Sequence, residues 1–140
     1  MTKVVWDDSL SVKIGIVDEQ HKALIGRIND LSEAVEQSLG QAEISKTLDY
    51  LVDYTDFHFS TEIKHMTAFD YPDLERHRQF HGEFVKTLNG LVEDFEEDGA
   101  TEPLSNAINT FLGNWLINHI RTVDVEFGRF LGEKGIELNE

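Results

Sequence analysis

The chain contains no cysteine, which excludes disulfides, iron–sulfur clusters and thiolate zinc sites, so any metal must be held by nitrogen and oxygen. Proline occurs only twice, as Pro72 and Pro103, and both positions suit the start of a helix rather than its interior. The longest apolar runs are only a few residues, too short to cross a bilayer as a helix. Alternation of β-branched with polar residues, the mark of half-buried strands, is scarce. Positive charge is also in short supply: 12 Lys and Arg stand against 27 Asp and Glu, for a formal charge of −15. Nucleic acid and anionic lipid surfaces need basic partners, so neither is expected, and the plain reading of the charge is solubility. The N-terminal stretch Met1-Thr2-Lys3-Val4-Val5-Trp6-Asp7-Asp8 turns acidic where a secretory signal would be apolar, and a cytoplasmic location without membrane insertion is expected.

What is present is helical periodicity. The 140 residues suffice for one domain with a real core. After an irregular arm (about 1–17, containing Trp6), a first helix is predicted from near Asp18, with His21, Leu24, Ile25, Ile28, Leu31 and Val35 on one stripe, ending before Gly40. A second runs from about Ala42 with Ile44, Leu48, Leu51, Thr55, His58, Glu62 and Met66 on one face. The Phe69-Asp70-Tyr71-Pro72-Asp73 segment is a turn, and a third helix carries Leu74, His77, His81, Phe84, Leu88, Leu91 and Phe95 in steps of three and four. Thr101 reads as an N-cap with Pro103 in the first turn. The fourth helix continues through Ile108, Phe111, Leu112, Trp115, His119, Val123 and Phe127 to about Leu131, before a short tail. The expected fold is all-α: an up-down-up-down antiparallel four-helix bundle over about 18–131, in a single domain spanning 1–140.

All four apolar stripes are interrupted by one kind of residue. His21, His58 with Glu62, His77 with His81, and His119 stand where a bundle core wants leucine. Residues at i and i+4 lie about 40° apart around a helix and about 6 Å along it, so each such pair can converge on one point. A lone histidine on an apolar face is ordinarily a hydrogen-bonded core residue. Five of them with a carboxylate are another matter, because each unpartnered buried polar group costs stability that a small bundle does not have. Metal ions satisfy the whole set together. The set is too large for one four-coordinate zinc and suits two first-row ions, with iron favoured over manganese by the nitrogen count; copper and cobalt stay open on ligand chemistry.

The same residues carry a family resemblance. Asp18-Glu19-Gln20-His21-Lys22-Ala23-Leu24, His58-Phe59-Ser60-Thr61-Glu62 with Met66 and Tyr71-Pro72, His77-Arg78-Gln79-Phe80-His81 with Phe84, and Trp115-Leu116-Ile117-Asn118-His119-Ile120 with Asp124 resemble, in order and spacing, the four helix signatures of the hemerythrins. The resemblance covers nearly the whole chain. It implies two iron ions joined by an oxo or hydroxo bridge, with His77, His81 and His119 on one, His21 and His58 on the other, and Glu62 and Asp124 bridging. Dioxygen is then the ligand, bound reversibly at the two-histidine iron by a diferrous site that passes it two electrons, for storage, transport or delivery to an oxygen-consuming enzyme. An apolar oxygen pocket is implied at Leu24, Phe59, Trp115, Leu116, Ile120 and Val123. A monomeric oxygen-binding protein is expected rather than an enzyme.

Helix geometry sets one condition on this assignment. Asp124 follows His119 by five residues, about 140° around an ideal helix, so the two side chains meet only if the fourth helix widens locally, as in a π-bulge. The sixth histidine, His65, makes a Glu-x-x-His spacing with Glu62, the motif of ferritin-like di-iron proteins. The second such motif is missing, so His65 is expected to flank the site or lie on the surface. The rival readings of the same ligands are a di-iron oxidase or peroxidase, for which no spare core carboxylate is evident to move protons, and a sensor of oxygen or nitric oxide.

Overall fold

The computed structural model describes residues 5–136, apart from the side chain of Asn109; positions 1–4 of the expected arm and 137–140 of the expected tail lie outside the described residues. Among the described residues the chain forms a short 3-10 turn, Asp8–Leu10, and then four long helices with no strand. We label these α1 (Gly15–Glu36), α2 (Gln41–Ala68), α3 (Leu74–Asp98) and α4 (residues 102–133). Their connections, 37–40, 69–73 and 99–101, are short enough to force antiparallel neighbours. Each helix packs on the next, and α4 closes the ring against α1. The stripes read from the sequence meet in the middle: Leu24, Ile28, Leu31, Ile44, Leu51, Met66, Phe84, Leu88, Leu112, Leu116 and Phe127 are all buried.

Local chemistry sets the helix ends. Thr101 caps α4 as expected, its hydroxyl accepting from the Leu104 amide at 3.2 Å. At the ends of α1 and α2, Ser38 and Asp70 take left-handed φ of 54° and 52°. The following amides, Leu39 and Tyr71, then bond back to the carbonyls of Ala34 and Met66, a Schellman closure that satisfies carbonyls otherwise left over. α1 begins three residues before the expected Asp18. Asp18 lies in its first turn, and the carboxylate turns back to the arm, accepting from the Val12 amide at 2.8 Å and the Ser11 hydroxyl at 2.5 Å. The arm so held buries Leu10, Val12 and Ile14 against the bundle. It passes so close to α4 that a Cβ on Gly128 would sit 1.9 Å from the Val12 carbonyl oxygen, which is why a helix-interior position here is glycine. Trp6 is half-buried, with the Lys22 ammonium 4.4 Å from its ring centre.

α4 is not a regular α-helix. Stretches Glu102–Ala107, Asn114–His119 and Val125–Glu133 are α, and between them Ile108–Gly113 and Ile120–Asp124 are π-helical. Helical backbone angles run through all four junctions, Ala107 to Ile108, Gly113 to Asn114, His119 to Ile120 and Asp124 to Val125, so the axis is continuous. The second π segment is the widening that the His119–Asp124 spacing demanded. The first was not foreseen, and it corrects one expectation: Phe111, placed on the buried stripe by regular periodicity, is 57% exposed. With the turn widened, Ile108 and Leu112 face inward and Phe111 turns out.

Candidate metal centre

Each helix contributes one or two ligating side chains to a cluster in the half of the bundle nearer the 69–73 turn: His21 from α1, His58 and Glu62 from α2, His77 and His81 from α3, His119 and Asp124 from α4. All seven are buried. The ligand atoms fall into two groups, Glu62, His77, His81, His119 and Asp124 in one, His21, His58, Glu62 and Asp124 in the other, with the atoms of each group within 4.8 Å of one another. The two carboxylates belong to both groups. Asp124 divides its oxygens between them: Oδ2 lies 2.9 Å from His21 Nε2, while Oδ1 lies 2.9 Å from His77 Nε2 and 3.0 Å from His119 Nε2. Glu62 Oε1 lies 3.1 Å from His81 Nε2, 3.3 Å from His58 Nε2 and 3.7 Å from His77 Nε2. Without the π turn at Ile120–Asp124, Asp124 would point away from His119.

These separations are short, yet most of them are not hydrogen bonds. His21 Nε2, His58 Nε2, His77 Nε2, His119 Nε2, Glu62 Oε2 and both Asp124 oxygens are buried without a hydrogen-bond partner. Their lone pairs converge on shared points instead of on each other. Neighbouring ligands of an octahedral ion with bonds of about 2.1 Å stand about 3 Å apart, which is the spacing seen. Imidazole and carboxylate are ligands suited to first-row metals, so the donor set, its burial and its orphaned atoms all fit a pair of metal ions.

The electrostatics agree. Burial, and then the charge of Asp124, would raise Glu62, but His58, His77 and His81 hold it well below the usual carboxylate range. Burial would likewise raise Asp124, and His119, His21 and His77 outweigh it, so both carboxyls are ionised. Among the imidazoles, burial pushes His58 down to about 4 and also lowers His81. In His77 burial acts the same way but is overcome by Asp124 and Glu62, which lift it to about 9; His21 is raised by Asp124 against the same opposition. Two buried ionised carboxylates that draw His77 and His21 toward their protonated forms make a site that favours positive charge.

Of the expected oxygen-pocket residues, Leu24, Phe59, Leu116 and Ile120 are buried around the cluster. Phe59 stacks on His81 with ring centres 3.7 Å apart and also lies beside His58. Trp115 and Val123 are half-buried and also line a cleft between α3 and α4 that reaches His77 and His119; Trp115 stacks on His119 at 4.5 Å. Of the two places expected for His65, flanking the site or on the surface, burial excludes the surface: it is 6% exposed, because it lies seven residues from His58 and shares its inward seam. It is in neither ligand group. The sequence reading missed Gln20. Its side chain is buried and its Oε1 lies 2.8 Å from His58 Nδ1; the available signal was a polar residue four positions before Leu24 on the buried stripe of α1.

Comparison with known proteins agrees with this centre. Residues 12–131 match the family model described as the hemerythrin HHE cation binding domain. The chain is 35% identical to the bacteriohemerythrin of Stenotrophomonas maltophilia over 89% of its own length and 78% of that protein's. It is 30% identical to that of Methylococcus capsulatus over 91% and 96%, and 32% identical to the myohemerythrin of Theromyzon tessulatum over 87% and 88%. A crystal structure of wild-type hemerythrin superposes with a TM-score of 0.80 at 28% identity, covering 91% of this chain and 97% of the other. A helical bundle with two carboxylate-sharing histidine clusters and these relatives places the chain in the hemerythrin family, whose members are oxygen-binding non-haem iron proteins.

Proposed function

We propose that residues 1–140 act as one hemerythrin-like domain that binds dioxygen reversibly at a di-iron centre. In this reading His77, His81 and His119 hold one iron, His21 and His58 hold the other, and Glu62 and Asp124 bridge them alongside an oxo or hydroxo group. The observation that carries it is the division of the ligand atoms into two groups that share both carboxylates, one with three imidazoles and one with two. That inequality leaves the two-histidine position one protein ligand short, the place for an exogenous molecule. With both positions filled, a diferrous pair would supply the two electrons that dioxygen takes up on binding and returns on release, one from each iron.

The chain's own part is to hold the ligands and keep water away. Leu24, Phe59, Leu116 and Ile120 wall the cluster with buried apolar surface, which limits the proton donors that would turn reversible binding into irreversible oxidation. Among the described residues, neither ligand group contains a carboxylate beyond Glu62 and Asp124, and both are committed as ligands. An oxidase needs an acid–base group free to move protons beside the open position, so this arrangement favours the carrier. Storage, transport and delivery to an oxygen-consuming enzyme all use the same site, and a monomer in the cytoplasm is the simplest setting for it.

The test is metal content with the visible spectrum of protein reduced without air, exposed to oxygen, then freed of it. Two irons per chain and a colour that appears with oxygen and bleaches on its removal are expected. A single irreversible oxidation, or steady consumption of added reductant, would overturn the carrier in favour of an oxidase.

A further inference from the structure

The five histidines are not equally supported on their outer side. The Nδ1 atoms of His21, His77, His81 and His119 are buried with no hydrogen-bond partner, whereas His58 Nδ1 meets Gln20 Oε1 at 2.8 Å. Gln20 sits on α1 and His58 on α2, so the contact joins two helices beside the two-histidine position.

The direction of the hydrogen bonds follows from the next links outward. The Thr61 hydroxyl donates to the Phe57 carbonyl one turn back on α2, at 2.9 Å. Its lone pairs are then free to accept, and the group that reaches it is Gln20 Nε2, at 3.5 Å. This sets the amide with its NH2 toward Thr61 and its oxygen toward His58. An amide oxygen only accepts, so His58 must carry its proton on Nδ1 and present its lone pair on Nε2. That nitrogen faces Glu62 Oε1 and the shared centre.

We propose that Gln20, oriented by Thr61, is a positioning residue for His58, and that it fixes the tautomer, ring angle and donor strength of this one ligand. The proposal rests on the reading of the cluster as a two-metal centre and adds an asymmetry to it. Outer partners of metal-bound histidines change metal affinity by about 10–100-fold when removed. Here the effect should fall on one metal position, because Gln20 touches no other ligand in the set except as its chain neighbour His21. An accepting partner with full negative charge would make His58 a stronger donor, so Gln20→Glu should hold the metal at least as well as the original.

The experiment is chelator competition on the iron-loaded full chain, followed as iron per chain. Gln20→Leu, which keeps the volume and removes both polar atoms, should give up about half its iron at a chelator concentration roughly 10–100-fold lower than wild type requires, with the second half released as in wild type. Gln20→Glu should restore the wild-type curve, and Thr61→Val should fall between. Loss of both irons in parallel from Gln20→Leu, an unchanged curve, or failure of Gln20→Glu to restore it would overturn the proposal. If Gln20→Leu does not fold, nitrogen NMR of the wild-type chain loaded with zinc decides: a slowly exchanging proton on His58 Nδ1 is expected, and a proton on Nε2 or rapid exchange refutes it. A wild-type chain that never holds two ions would instead defeat the di-metal reading itself.

Discussion

Removing the metal is the perturbation whose cost can be worked most directly from the structure. Seven buried atoms of the cluster have no hydrogen-bond partner and face its centre: four imidazole Nε2 atoms, one Glu62 oxygen and both Asp124 oxygens. An unsatisfied buried polar atom costs about 1–3 kcal/mol. Protons offset part of this, since His77 and His21 are lifted by Asp124 and can pair with it. His58, pushed down to about 4 by burial, gives no such help at neutral pH. Leaving even five atoms uncompensated at the lower figure costs about 5 kcal/mol, a large share of the roughly 5–15 kcal/mol that holds a domain together. For a chain of this size that corresponds to about 15–20 °C in Tm. The assay strips metal with a chelator under reducing conditions, melts the chain by circular dichroism, and repeats the melt after iron is restored. We expect the stripped form to melt lower by that amount, with weakened near-ultraviolet signal, and the loss to be recovered on reloading. A stripped chain melting within about 5 °C of the loaded one would refute the claim that these groups depend on metal.

Two further outcomes test how the bundle is held. Gly128→Ala, a change that in an ordinary helix interior stabilises by about 0.5–1 kcal/mol, should here destabilise by about 1–3 kcal/mol, because its Cβ meets the Val12 carbonyl at 1.9 Å and displaces the arm; a raised Tm would contradict this. Tyr71 is raised to about 12, first by burial and then by Asp73 and Glu126. Its folded value exceeds the unfolded one, so its contribution is present below pH 10 and lost as pH rises toward 12. Denaturant unfolding across that window should show Tyr71→Phe losing less stability than wild type, and parallel curves would speak against it.

Most of the bundle and the centre could be read from spacing alone. The stripes on α1, α2 and α3 needed only a 3.6-residue repeat, and every position assigned to the α1 and α2 stripes is buried. Five histidines and Glu62 announced themselves by standing where core residues belong, since burial without a partner is too costly to be incidental. Asp124 was different: a regular helix turns it away from His119, and it entered by resemblance, with the widened turn as its condition. That widening exists because the bundle packs both side chains inward at once. Phe111 shows the same limit from the other side, turned out by a π segment that local pattern cannot reveal.

The sequence by itself determined the helix count, the inward faces of α1 and α2 and the chemistry of the histidine cluster, because periodicity and the cost of buried polarity are local properties of the chain. Only the tertiary structure decided which oxygen of Asp124 faces which histidine, that Gln20 on one helix meets the outer nitrogen of a histidine on the next, and that the arm lies against Gly128. Those are contacts between segments far apart in the chain, set by how helices pack, and no spacing within one helix encodes them.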